Sequence, residues 1–173
     1  DYQPKSLDTA FSMMPESNWV VISIAGQYAT PVVKETLNAG KHVFLFSDNI
    51  SLADERDLKT FAQEKGLLLL GPDCGTAIIN GIGFGFSNAV PKGDIGVIAA
   101  SGTGLQQFTV CIQKLGKGIS QAIGTGGRDL HPEIAAITTK QSLFFLRDDE
   151  NTAVITLISK PPELTIIEEL IQL

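Results

Sequence analysis

Cysteine is scarce in this sequence. Cys74 and Cys111 are the only two among 173 residues. That count argues against a disulfide framework of the secreted kind, and no Cys/His spacing of a metal site occurs. Lysine and arginine total 13 against 19 acidic residues, a formal net charge of −6. The basic residues form no cluster, which argues against a nucleic-acid or anionic-membrane face. Long apolar runs are missing too. The run Leu67-Leu68-Leu69-Leu70 stops at Gly71-Pro72, far short of the roughly 20 residues that span a bilayer. No secretory leader pattern opens the chain. These absences predict a cytoplasmic protein without metal. Its expected partners are small-molecule ligands.

What is present is the composition of a packed protein, 43% hydrophobic and 18% charged. Apolar strands alternate with amphipathic helices. A short helix is expected within residues 1–14. Residues 19–25 form a near-continuous apolar run of strand length, suited to burial on both faces of a parallel sheet. Thr30-Pro31 reads as the start of a helix that ends at Gly40. Residues 42–46 read as a strand. Ser51 then caps a helix with Leu58, Phe61 and Ala62 on its core face, and residues 67–70 form a third strand. Residues 76–94 read as short strands or loops joining two α/β units, with a boundary near Val90-Pro91.

The second unit repeats the pattern. Residues 95–100 form a strand, and residues 103–115 a helix with Leu105, Phe108, Ile112 and Leu115 on one face. A strand over 119–123 follows. Pro132 is expected to open a helix with Ile134, Ile137, Gln141 and Phe144 on one side. A strand over 152–158 precedes a last helix, started by Pro161-Pro162, with Leu164, Ile167 and Ile171 aligned. The alternation predicts right-handed βαβ crossovers and a doubly wound sheet. In such sheets ligands sit beyond the C-terminal strand ends. Those ends are Gly26-Gln27, Ser47-Asp48-Asn49, residues 71–75, residues 101–104, residues 124–129 and Ser159-Lys160.

The turn Ser101-Gly102-Thr103-Gly104 joins a buried strand to a helix. The first N–H groups of that helix have no internal partner, and its dipole favours an anion there. The turn is either an anion seat or a simple cap. It is neither a dinucleotide fingerprint nor a P-loop. Gly124-Thr125-Gly126-Gly127 is a second glycine-rich turn. After it, Arg128 could pair with a phosphate or carboxylate, and Asp129 could cap the next helix. Cys74 in its glycine-flanked loop is either buried filler or a reactive thiol. Asp48-Asn49 is either a ligand contact or an Asx turn. His42 reads as structural and His131 as a weak acid/base candidate. No residue is assigned as catalytic.

Three ordered motifs resemble the α subunit of succinyl-CoA synthetase and the NDP-forming acyl-CoA synthetases. Gly71-Pro72-Asp73-Cys74-Gly75 is similar to their GPNCPG loop. Residues 93–103 resemble their GKIGIVSRSGT segment, and residues 118–129 their GxSxxVGIGGD stretch. The strings Phe46-Ser47-Asp48-Asn49, Gly126-Gly127-Arg128-Asp129-Leu130 and Ser159-Lys160-Pro161-Pro162 resemble the FdrA branch in particular. The resemblance implies a Rossmann-like CoA-binding half over residues 1–90. A flavodoxin-like parallel-sheet ligase domain would begin at residue 91 and run to 173.

Carried over, the phosphate seat falls on Ser101, Gly102, Thr103 and Gly104, with Gly126, Gly127 and Arg128 beside it. Coenzyme A would meet Gly26, Gln27, Ser47, Asp48 and Asn49, with Pro72 and Cys74 beside its thiol end. A nucleoside triphosphate or phosphate is the other implied ligand. Two family features have no counterpart. Ser159-Lys160 stands where the family's phosphohistidine-orienting glutamate would be, and the GHAGA histidine motif is absent. A start at Asp1 and an end inside a helix-like segment suggest a piece of a longer protein. The implied activity is that of an acyl-CoA synthetase subunit, in a homo- or hetero-oligomer with other subunits. The alternatives are phosphate-dependent carbamoyl transfer of the oxamate carbamoyltransferase type in ureide catabolism, and a CoA or nucleotide module without catalysis.

Overall fold

The computed structural model describes residues 3–173, so the first two residues of the polar lead-in lie outside it. Two sheets organise the chain. The first is a three-stranded parallel sheet in the order β1-β2-β3, made by β1 (Trp19–Ile22), β2 (His42–Leu45) and β3 (Leu69–Leu70). Helices α2 (Ala29–Asn38) and α3 (Leu52–Glu64) connect them, after a short α1 (Leu7–Met13). Val33 and Leu37 of α2, Leu58 and Ala62 of α3, and Val43 and Leu45 of β2 form their shared core.

The second sheet has five strands in the order β5-β4-β7-β6-β8. Strands β4 (Thr76–Ile79) and β5 (Ile82–Gly85) form an antiparallel hairpin, and β4 pairs antiparallel to β7 (Ile119–Gly124). Strand β6 (Lys92–Ala99) lies between β7 and β8 (Val154–Ile158) and is parallel to both. The hairpin before Val90-Pro91 thus belongs to the second sheet.

Helix α4 (Gly102–Lys114) links β6 to β7, and α5 (Ile137–Arg147) carries the chain past β6 to β8; α6 (Leu164–Ile171) follows. Leu105 of α4 packs with Val97 and Ala99. Leu146 of α5 packs with Ile98 and Ile123. Alternate residues of a strand face opposite sides, so α4 and α5 cover opposite faces. Adjacent strands β6 and β7 therefore send the chain to opposite sides, and a crevice opens between their C-terminal ends.

Phe44, Leu68 and Leu70 from the first sheet share a core with Ile98, Ile123 and Leu146 from the second unit. Helix α5 seals this junction. Its Thr138 hydroxyl donates to the Leu69 carbonyl at 3.2 Å, and its Gln141 amide to the Leu67 carbonyl at 3.0 Å. The open edge of β3 is satisfied by side chains in place of a further strand. Among the described residues no helix is long and apolar enough to cross a membrane.

Several expected boundaries shift. β1 stops at Ile22, because the chain turns into a 3-10 segment at Gly26–Tyr28. Tyr28, not Thr30, caps α2, and Pro31 sits inside its first turn, where an N–H is dispensable. Pro132 does not open α5; residues 131–136 form a compact turn, and Ala136 at φ 55° precedes the helix. The buried face of α5 carries Thr138, Thr139, Gln141 and Ser142, whereas Phe144 is 40% exposed. That face meets backbone carbonyls and a carboxylate, so polar groups satisfy it better than apolar ones. Leu115 is 74% exposed at the C-cap of α4. In α6 Ile166 is buried, and Leu164 and Ile171 face outward.

His42 begins β2, as a structural residue would. Its ring stacks on Trp19 at 4.9 Å, and its Nδ1 accepts the Leu68 N–H at 2.9 Å. Burial lowers its pKa below the ordinary value near 6.5. A protonated Nδ1 could not accept that bond, so the folded state resists protonation. The unfolded chain binds more protons near and below pH 6.5, and stability falls as pH drops through that range. The melting temperature is therefore expected to decline from pH 7.5 to pH 5.5. His42→Gln should flatten this segment of the profile; an unchanged slope in the variant would remove His42 as its source.

Candidate functional site

Ser101 adopts an extended conformation before α4, and its Oγ accepts the Gly104 N–H at 3.2 Å. The hydroxyl is thus used as a cap. It leaves the N–H groups of Gly102 and Thr103 without intrahelical partners at the crevice end of the helix. Gly104 lies so close to its surroundings that a Cβ there would sit 3.0 Å from Ile158 Cγ2 and from Ser101 Oγ.

The turn after β7 supplies the facing wall. Gly126 has φ +89°, and a Cβ there would lie 2.4 Å from the Pro72 carbonyl oxygen. Only glycine allows that backbone to fold against the 71–75 loop. Gly127 and Arg128 then line a crevice of about 270 Å³ with Ala100, His131, Ser159 and Lys160. Lys160 is exposed, and Arg128 is the second cation. His131 Nδ1 accepts the Glu133 N–H at 3.3 Å, leaving Nε2 as its other ring nitrogen. Of the expected phosphate residues, Gly127 and Arg128 line this crevice, joined by His131 and Lys160; Ser101, Gly102, Thr103, Gly104 and Gly126 are not part of its lining.

Beneath this crevice lies a buried ionic cluster. Lys59 Nζ is fully buried and sits 2.6 Å from Asp129 Oδ1, 3.0 Å from Glu55 Oε1 and 3.0 Å from the Thr125 carbonyl oxygen. Asp129 also accepts the Thr138 N–H at 3.2 Å, the Thr139 N–H at 2.8 Å and the Thr139 hydroxyl at 2.6 Å. It caps α5 from across the turn, as a carboxylate at a helix start should. Glu55 Oε2 lies 2.8 Å from Arg128 Nη2, which also donates to the Ile50 carbonyl at 2.7 Å. Glu55 makes ion pairs through both oxygens, yet neither oxygen has an aligned hydrogen bond.

Glu55 and Lys59 carry no apolar signal, and the sequence reading passed over them. A signal was available: they stand at i and i+4 with Leu58 and Ala62, on the face of α3 that is buried. Charges on a core face imply buried partners.

The second cluster of expected residues lies at the ends of β1 and β2. A Cβ on Gly26 would lie 2.0 Å from the Asp48 carbonyl oxygen. Ser47 is buried, and its Oγ accepts the Ile24 N–H at 3.0 Å. Asn49 Nδ2 donates to Asp48 Oδ1 at 2.7 Å, with Asn49 at φ 55°. The adjoining cleft, about 350 Å³, is lined by residues including Phe46, Ser47, Asp48 and Asp73, with no lysine or arginine. Gln27 is exposed beside it in sequence.

Pro72 and Cys74 point elsewhere. Pro72 is buried against Gly126. Cys74 is 2% exposed, its thiol contacts the Thr76 and Gly124 carbonyls, and burial pushes its pKa up to about 12. The buried-filler alternative therefore describes the thiol, which faces the core and no cleft.

The fold is shared with solved CoA enzymes. It superposes with a TM-score of 0.75 on ATP citrate lyase from Methanothrix soehngenii in complex with citrate and coenzyme A, at 18% identity, over 88% of this chain and 26% of that one. In sequence it is 46% identical over 167 residues to the uncharacterized YahF protein of Escherichia coli K12, covering 96% of this chain and 32% of YahF. It is 28% identical to subunit alpha 2 of an ADP-forming succinate–CoA ligase from Archaeoglobus fulgidus, covering 84% of this chain and 50% of that subunit. Alpha subunits of succinate–CoA ligases are thus among its relatives, and the chain spans half or less of the length of each of these proteins. No protein-family model matches it.

Two outcomes test this geometry. Cys111 is exposed and Cys74 buried, so a thiol reagent such as DTNB should modify one cysteine in the native chain and both after denaturation. Rapid native labelling of Cys74 would refute the buried assignment. Asp129→Ala strands Lys59 beside Glu55 and uncaps α5. It should cost about 3–5 kcal/mol and lower the melting temperature by about 10 °C. A shift of a degree or two would show that the cluster is not holding the turn.

Proposed function

We propose that this chain is the phosphate-handling and CoA-facing part of an acyl-CoA ligase-type subunit. The observation that carries this reading is the crevice at the ends of β6, β7 and β8. Gly127 of the glycine turn, Arg128 and Lys160 line one small opening, with Ala100, just before the Ser101 cap of α4, beside them. Such a site stabilises a transferring phosphoryl group by fixed N–H groups and cations, and needs no reorganisation at the moment of reaction. At about 270 Å³ it is smaller than the roughly 300–1,000 Å³ of sites that enclose larger ligands. Phosphate or a small acyl phosphate suits it better than a nucleotide.

Coenzyme A is assigned to the cleft at the ends of β1 and β2. Asp48 and Asp73 there repel phosphates, so the uncharged pantetheine arm is the part they would meet. The relatives named as subunits support a homo- or hetero-oligomer, and the two-part division of the chain, near residues 90 and 91, belongs to this reading.

Phosphate-dependent carbamoyl transfer, the FdrA-type reading, is the second proposal. The same small cationic crevice favours it, because carbamoyl phosphate is a compact dianion and Lys160 brings a positive charge to the opening. Turnover with succinate, CoA and ATP, against oxamate and carbamoyl phosphate, separates the two reactions.

Calorimetry with inorganic phosphate tests the seat itself. Lys160→Glu reverses an exposed charge that makes no ion pair among the described residues. It should weaken phosphate binding by about tenfold or more while leaving the melting temperature within a degree or two. Unchanged affinity would count against the crevice as the phosphate site.

A further inference from the structure

We infer that Glu55 is a positioning residue, which holds the Arg128 guanidinium at the crevice as an anion reader. The inference rests on the phosphate seat proposed above and assigns a role to a residue outside it. Glu55 lies in α3, on the first sheet, whereas Arg128 belongs to the turn after β7 in the second. The carboxylate is 1% exposed and the arginine side chain 42% exposed. The pair therefore has a buried end and a wet end.

Arg128 is tied through one nitrogen. Its Nη2 lies 2.7 Å from the Ile50 carbonyl oxygen and 2.8 Å from Glu55 Oε2. Its Nε and Nη1 make no hydrogen bond among the described residues. A guanidinium has five N–H donors in a fixed plane. Anchoring Nη2 fixes the plane and leaves the Nε–H and Nη1–H donors free for single charge-assisted contacts to a phosphate or carboxylate oxygen. A free arginine would lose rotamer freedom on binding; an anchored one has already lost it.

Glu55 is held in turn by Lys59, at 3.0 Å, and Lys59 by Asp129. A carboxylate this buried is costly to keep, and both of its oxygens lack aligned hydrogen bonds. Lys59 already has Asp129 and the Thr125 carbonyl as partners. What Glu55 adds is a fixed negative charge under Arg128.

Inorganic phosphate binding, measured by calorimetry on the whole chain, tests this with four variants. Arg128→Ala and Glu55→Gln should each weaken binding by about tenfold. The double variant should be no weaker than Arg128→Ala alone, because Glu55 acts only through the arginine. Glu55→Asp keeps the charge beside Lys59, and so the fold, but shortens the reach to Arg128. It should show a similar loss with a near-native melting temperature, and it carries the test if Glu55→Gln does not fold.

Full affinity in Glu55→Asp and Glu55→Gln overturns the positioning role and leaves the phosphate seat standing. Additive losses in the double variant overturn it as well, since Glu55 then acts without Arg128. Absence of phosphate binding in the unsubstituted chain removes the seat and the positioning role together.

Discussion

Lys59 is the charge around which the two halves of the molecule are arranged. It rises from a helix of the first sheet and ends on a carboxylate and a carbonyl of the second. Burying an ammonium group without partners costs several kcal/mol. The chain avoids that cost only when the turn after β7 folds back over α3. The same Asp129 that answers Lys59 also caps α5. The register of α5, the course of the turn and the docking of the two sheets are thus set by one set of contacts. A hydrophobic junction could hold the halves together, but it would not fix where residues 124–129 stand.

That fixity matters at the crevice. Gly127 and Arg128 of this turn line it, and fixed donors help an anion more than mobile ones. The Gly126 contact with the Pro72 carbonyl presses the turn from the other side. The two clefts differ in sign. The opening at β6–β8 carries Arg128 and Lys160 against a single carboxylate, Glu163, and the opening at β1–β2 carries Asp48 and Asp73. In a chain of net charge −6, a local positive opening is the place where an anion collects.

Much of the fold could be read in advance, because hydrophobic period and glycine punctuation are local signals. Strands β2 and β7 and helices α3 and α4 fall close to residues 42–46 and 119–123 and the Ser51 and Ser101 caps, whereas β3 keeps only Leu69–Leu70 of the expected 67–70 and β6 begins three residues early, at Lys92. Helix α5 resisted. Its start depends on Asp129, eight residues before its first helical residue, and on two consecutive left-handed alanines, Ala135 and Ala136. Its inner face is polar because it meets a strand edge. Leu115 and Phe144 had the right spacing but fell on exposed surface, Phe144 beneath the Arg147 guanidinium. At the site, the turns at strand ends were legible from topology. The burial of Glu55 and Lys59 was signalled by their place beside Leu58 and Ala62 on the core face of α3, but the identity of Arg128 and Asp129 as their partners was not, because these lie about 70 residues away in the chain.

The way α5 closes the edge of β3 bears on how this protein can be divided. Two hydroxyl and amide donors substitute there for a neighbouring strand. A chain cut between Leu70 and Thr76 would expose that row of carbonyls together with Phe44, Leu68 and Leu70. An open, apolar strand edge is a template for pairing with another copy. Cutting the molecule at its sheet boundary would therefore yield a first half prone to self-association, even though each half has a core of its own.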